Sequence, residues 1–282
     1  MHARFQCVPD CGKCCHFPSG IRLELYASEL SKFWETLPLY LVVVVRQEDD
    51  VFGAYRSNGL SHAQATEFIG KTYERYVVSG NRGEKKVLYW QARTAVLGQQ
   101  DGKCHALNSD KTCAIYDNRP LACRLFPILA DRPDRIAGRA TREQLQTFVT
   151  LFGYKCKTDQ SAPVIVKDGS VPSPAADHRK QMADDLHAIN SLLRDHPAVH
   201  NIQEIGADFL LSRNLPNHEW RTSFGPYLNA LQFNNLLDDA GFDHLLQRQR
   251  ELAKLCKEAA IQNKSTELEA IETILTDYNT QI

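Results

Sequence analysis

Four cysteines stand within nine residues near the N-terminus, as Cys7-x3-Cys11-x2-Cys14-Cys15. Three more stand within twenty, as Cys104-x8-Cys113-x9-Cys123, and the remaining two are Cys156 and Cys256. This clustering constrains the chain more than any other feature. Vicinal Cys14 and Cys15 could not bridge each other without strain, because disulfide geometry is narrow. The odd total and the uneven spacing also fit a disulfide framework poorly. Cysteines two or three residues apart on a loop can aim their sulfurs at one centre, and soft thiolates select zinc or an iron–sulfur core over hard cations.

The residues around the cysteines read as loop. Pro9 and Pro18 punctuate the first set, and Gly12 stands between two candidate ligands where a tight turn needs unusual dihedrals. Lys13 and the loop N–H groups are candidate donors to thiolate sulfur. In the second set, Asp101-Gly102 and Asn108-Ser109-Asp110 are turn signals leading into Cys104 and Cys113. Tyr116 and Phe126 are expected to pack against these loops. Arg119 and Arg124 are expected to screen thiolates, or to hold the loop through Asp117 or a backbone carbonyl. His16 and His105 each directly follow a cysteine and read as groups behind the ligands.

Seven clustered cysteines plus Cys156 make eight, enough for two four-cysteine sites of structural zinc or of iron–sulfur cubanes. Cys14 and Cys15, being adjacent, suit different centres. Cys256 lies in a helical pattern and reads as a small buried hydrophobe. The expected metal ligands are therefore Cys7, Cys11, Cys14, Cys15, Cys104, Cys113, Cys123 and Cys156. The first set also has the C-x3-C-x2-C spacing of radical enzymes that use S-adenosylmethionine, but only six residues precede Cys7, so no strand opens a barrel.

Charge and hydropathy exclude several classes. The formal net charge is −1, which makes no case for nucleic-acid binding. Residues 1–160 carry 22 Lys+Arg against 17 Asp+Glu, and residues 161–282 carry 11 against 17. The basic residues are interleaved with cysteines, so they offset thiolate charge internally. The first residues lack the apolar stretch of a secretion signal. The run Leu37–Val45 is too short to span a bilayer and reads as a buried strand. The expectation is a cytoplasmic protein without a membrane segment.

Elsewhere, Ser28 is expected to cap one helix and Ser61 another, over Ser61–Arg75. Val87–Arg93 reads as a strand. Thr141–Tyr154 reads as a helix, with Leu145, Phe148, Val149 and Phe152 on one face. Asp168-Gly169 signals a short hairpin. Beyond Asp177 three apolar stripes indicate helices: Met182, Leu186, Ile189 and Leu193; Leu245, Leu252, Leu255 and Ala259; Leu268, Ile271, Ile274 and Leu275. The expected fold class is α+β: a small irregular cysteine-rich metal-binding domain with short strands and helices over 1–160, a linker with a short hairpin over 161–176, and an all-α region over 177–282. No catalytic set such as Ser–His–Asp stands out, so catalytic residues are left unassigned.

The two cysteine sets together resemble the YkgJ-like cysteine-cluster family of zinc- or iron-chelating proteins. The resemblance rests on Phe5-x-Cys7-x3-Cys11-Gly12-Lys13-Cys14-Cys15 and on Cys104-x8-Cys113-x-Ile115-Tyr116-x2-Arg119-Pro120-x2-Cys123-Arg124-x-Phe126-Pro127. It spans residues 1–160 and implies metal chelation by these cysteines. The flagellin lysine N-methylases carry a similar cluster, which implies S-adenosylmethionine as a second cofactor, although no glycine-rich methyltransferase loop is visible. Three functions are thus open: an iron–sulfur protein (a 4Fe–4S cubane first, zinc second) acting as a redox or protein-modifying accessory factor; a lysine methylase; and a structural zinc module whose helical C-terminal region binds another protein.

Overall fold

The computed structural model describes residues 2–8, 12–15, 23–57, 59–79, 84–97, 103–128, 134–150, 153–171, 175–213, 215–262 and 268–280. It is an α+β structure. Strand β1 (Ala3–Arg4) opens the chain, and β2 (Glu24–Leu25) follows the first cysteine segment. After the short helix α1 (Leu30–Phe33) come β3 (Leu39–Gln47), helices α2 (Glu48–Arg56) and α3 (His62–Thr72), and strands β4 (Glu74–Ser79) and β5 (Lys85–Val96). Helices α4 (Leu121–Leu125) and α5 (Asp134–Thr150) lead to β6 (Val164–Val166). The chain then runs through α6 (Ala175–Leu193), α7 (Pro197–Arg213), β7 (Asn217–Ser223), α8 (Gly225–Phe233), α9 (Asp239–Gln262) and α10 (Leu268–Thr280).

The apolar run expected as a buried strand is β3. It lies between β5 and β7, antiparallel to both, with Val43 opposite Ala92 on one side and Trp220 on the other. Consecutive buried residues put both faces of β3 in the core, which accounts for a continuous β-branched run instead of an alternating one. The long β5 carries β4 and β2 along its far edge, at opposite ends. Buried amides stitch helices to this sheet. Asn190 of α6 accepts from Ala92 N–H at 2.8 Å and donates to Thr72 O at 3.0 Å. Gln249 of α9 accepts from Leu39 N–H at 2.6 Å and donates to Leu37 O at 2.9 Å. Tyr278 of α10, fully buried, donates to Leu39 O at 3.0 Å and accepts from Phe224 N–H at 3.1 Å.

Several local expectations are refined. Ser61 caps α3 in a full capping box with Gln64. Ser28 caps nothing: its hydroxyl donates to Asp185 at 2.6 Å, and a 3-10 turn over Ala27–Glu29 takes the place of the helix start. Helix α5 begins at Asp134, earlier than the apolar stripe suggests, and is described to Thr150; Phe152 lies outside the described residues. The stripe on α9 runs through Leu245, Leu252, Cys256 and Ala260, all buried, while Leu255 faces solvent. Among its described residues the helical C-terminal region contains one strand, β7. Its sequence, Asn-His-Glu-Trp-Arg-Thr-Ser, lacks the apolar alternation that marks a strand because it sits at a sheet edge. Among the described residues no helix is long and apolar enough to cross a membrane.

Candidate metal centre

Sheet topology explains how cysteines about ninety residues apart meet. The first cysteine segment runs into the start of β2, and the second set follows the end of β5. Antiparallel pairing of Glu24 with Ala95 and Leu25 with Thr94 sets these two ends side by side. Across that junction Cys104 N–H donates to Cys15 O at 2.7 Å. The second set then folds as a tight hairpin, with a bridge that returns Cys113 opposite Leu107.

The two loops dock at Gly12. Its φ is +60°, and a β-carbon there would lie 3.1 Å from both Cβ and O of Lys111 at the hairpin tip. The turn expected at this glycine is thus also the contact point between the two cysteine sets. From Gly12 a 3-10 turn over Lys13–Cys15 begins, closed by Cys15 N–H to Gly12 O at 3.1 Å.

Cys123 is delivered by α4, whose start is held from another part of the chain. The Glu29 carboxylate accepts Leu121 N–H at 2.8 and 3.1 Å, taking up one of the N–H groups a helix start leaves over. Burial pushes the Glu29 carboxyl above its ordinary value, against the pull of the Leu121 N–H and the Arg124 charge. Cys156 arrives by another route. An antiparallel bridge between Gln6 and Lys157, beyond the pairing of β1 with β6, places Cys156 across from Cys7.

These devices converge on one cavity of about 470 Å³, lined by Cys7, Cys15, Cys104, Cys113, Cys123 and Cys156. Cys11 and the side chain of Cys14 lie outside the described residues. Among the described residues no three His, Cys, Asp or Glu side chains are grouped tightly enough to hold a single ion. All six cysteines lie on the wall of the cavity.

The remaining lining suits thiolate chemistry. Lys111, Arg119, Arg124 and His178 border the cavity, and no described aspartate or glutamate does. Arg119 holds its loop as expected: Nε donates to Tyr116 O at 2.8 Å and the guanidinium lies 3.8 Å over the Tyr116 ring. Ala106 N–H donates to Cys104 Sγ at 3.4 Å, the backbone-to-sulfur bond a thiolate needs when withdrawn from water. Phe126 packs edge-on against Phe5 at 5.6 Å and beside Phe148 and Tyr154, giving one side of the cavity an aromatic wall. His178, at the start of α6, has no neighbour in sequence that would mark it, and only the fold brings it to the site.

Two residues adjoining the site point elsewhere. Cys256 is 1% exposed and its sulfur lies 3.2 Å from His105 Nε2, outside the cavity lining. Burial lowers the His105 pKa to about 4, opposed by a backbone hydrogen bond to Leu97. His16 lies outside the described residues.

Residues 6–148, half of the chain, match the family model CxxCxxCC, "Putative zinc- or iron-chelating domain". The chain belongs to that family. Its matched segment contains seven of the eight cysteines expected as ligands; Cys156 follows it. No curated protein and no solved structure matches the chain.

Proposed function

We propose that this chain is a metal-chelating protein whose cavity holds a cysteine-ligated centre, with an iron–sulfur cluster, of the 4Fe–4S type first, ahead of zinc. The ligands are drawn from Cys7, Cys11, Cys14, Cys15, Cys104, Cys113, Cys123 and Cys156. The observation that carries this reading is the convergence of six of these cysteines, from three separate stretches of chain, on one cavity. Zinc in a four-cysteine site has Zn–S near 2.3 Å, which by tetrahedral geometry sets sulfurs about 3.8 Å apart. A cubane takes each cysteine on a different iron, so its ligands stand wider apart. A cavity of about 470 Å³ with six cysteines on its wall has room for the larger of the two centres. When bound, such a centre supplies one-electron chemistry or folding energy. The protein's own contribution is the cationic rim, the Cys104 hydrogen bond and the aromatic wall.

Anaerobic purification followed by iron, zinc and acid-labile sulfide analysis and a visible spectrum tests this reading. Iron with equimolar sulfide and a brown chromophore supports the cluster. Colourless protein holding zinc alone refutes it in favour of a structural zinc module.

An accessory role implies a partner protein. Phe233 and Leu236, at the end of α8 and just beyond it, are 82% and 68% exposed. Apolar groups of that size in water support docking through the C-terminal region, and losing pull-down of a partner in Phe233→Ser with metal content intact would test it.

A further inference from the structure

Two of the cavity cysteines are also arranged for a reaction with each other. Gln6 and Lys157 exchange both backbone hydrogen bonds, Gln6 N–H to Lys157 O at 2.9 Å and Lys157 N–H to Gln6 O at 3.1 Å. In an antiparallel ladder a doubly bonded pair is followed by a pair without mutual bonds, whose Cα atoms approach to about 4.5 Å and whose side chains lie closest. One step along from Gln6 and Lys157, that pair is Cys7 and Cys156. Both line the same cavity, so both side chains leave the ladder on the same side. A disulfide requires Cα atoms about 4.4–6.8 Å apart, the range into which the spacing of such a pair falls.

Contacts away from the cysteines also tie this segment down. Ala3 pairs with Val166 and Arg4 with Val164. Phe5 N–H donates to Pro163 O at 3.0 Å, and the Arg4 guanidinium donates to Ala162 O at 2.8 Å. The N-terminal segment is thus held to the chain that follows Cys156, its partner changing from Pro163 at Phe5 to Lys157 at Gln6.

We propose that Cys7 and Cys156 form a cross-strand disulfide when the cavity lacks metal and a small-molecule disulfide is present, and that this bond keeps metal out until it is reduced. The first half stands whatever the metal is; the second rests on the cavity being the metal centre. With oxidised glutathione the steps balance. One cysteine, as thiolate, attacks a glutathione sulfur, forming a mixed disulfide and releasing one glutathione thiolate. The second cysteine attacks the protein sulfur of that mixed disulfide, forming the Cys7–Cys156 bond and releasing the second glutathione. The two thiol protons end on the two glutathione thiols, and the two protein thiols are oxidised as one glutathione disulfide is reduced.

The test starts from full-length protein whose metal content has been measured, so failure of the metal reading is recorded separately. Chelator-stripped and metal-loaded samples are exposed to oxidised glutathione, blocked with an alkylating reagent, and digested with trypsin and a protease that cleaves before aspartate. Cleavage before Asp10 separates Cys7 from Cys11, so the expected product is Phe5–Pro9 linked to Cys156–Lys157. It should dominate in the stripped sample and be scarce in the loaded one. Cys11→Ser should leave the link in place, while Cys7→Ser and Cys156→Ser abolish it. The oxidised sample should regain metal only after dithiothreitol. Alkylation of both cysteines in the stripped, oxidised protein, or a mixture of linkages with no preference for this pair, overturns the disulfide. A linked protein that still loads metal fully overturns the exclusion alone.

Discussion

Substituting Gly12 by alanine tests whether docking of the two cysteine loops depends on the contact seen there. Two costs add at this position. A φ of +60° places a residue bearing a β-carbon in the left-handed region, at about 1–2 kcal/mol. The new carbon would also meet Lys111 Cβ and O at 3.1 Å and Leu107 Cδ1 at 3.4 Å, an overpacking cost of about 1–3 kcal/mol. Gly12→Ala should therefore destabilise by about 2–5 kcal/mol. Two controls separate the costs. Gly59 has φ +85° with nothing within 4 Å of its added carbon, so Gly59→Ala should show the dihedral cost alone. Gly53, inside α2, has neither constraint and should gain about 0.5–1 kcal/mol on becoming alanine. Urea midpoints at constant m-value read all three, with metal content measured alongside. The reasoning is refuted if Gly12→Ala costs no more than Gly59→Ala and retains full metal.

Other expectations follow from buried polar groups. Glu29→Ala strips the acceptor from Leu121 N–H at the start of the Cys123 helix and should cost about 1–3 kcal/mol; Glu29→Gln keeps an acceptor and should cost much less. Because burial raises the Glu29 carboxyl, the folded state binds that proton more tightly than the unfolded chain. Stability should then fall as pH rises from the ordinary value near 4.5 through the raised one, and Glu29→Gln should flatten that slope in urea unfolding measured across pH; an unchanged slope counts against the assignment. Tyr278→Phe removes the group that bonds both Leu39 O and Phe224 N–H, and a loss of about 1–3 kcal/mol in thermal or urea unfolding is expected.

Which features could be read from the chain follows from how local their causes are. The capping box at Ser61, the buried strand β3 and the turn at Gly12 depend on neighbouring residues, and sequence spacing alone identifies them. Ser28 has the chemistry of a cap, but Asp185, far along the chain, competes for its hydroxyl. Strand β7 is polar apart from Trp220, and only its pairing with β3 makes it a strand. At the site, the cysteines announce themselves by clustering. His178 and Glu29 do not, because each reaches the metal loops through tertiary packing. Cys256 turns inward as its sequence context indicates, whereas Leu255, one helical position away, faces solvent although it fits the apolar stripe.

The central claim is that the two cysteine sets hold metal jointly at one cavity, and metal content in paired variants tests it most directly. Cys104 lines the cavity and is bonded through its backbone to Cys15, whereas Cys256 is equally buried but lies against His105. Elemental analysis of anaerobically purified, folded protein should show metal lost or sharply reduced in Cys104→Ser and fully retained in Cys256→Ser. Full metal in Cys104→Ser, or its loss only in Cys256→Ser, would contradict the account.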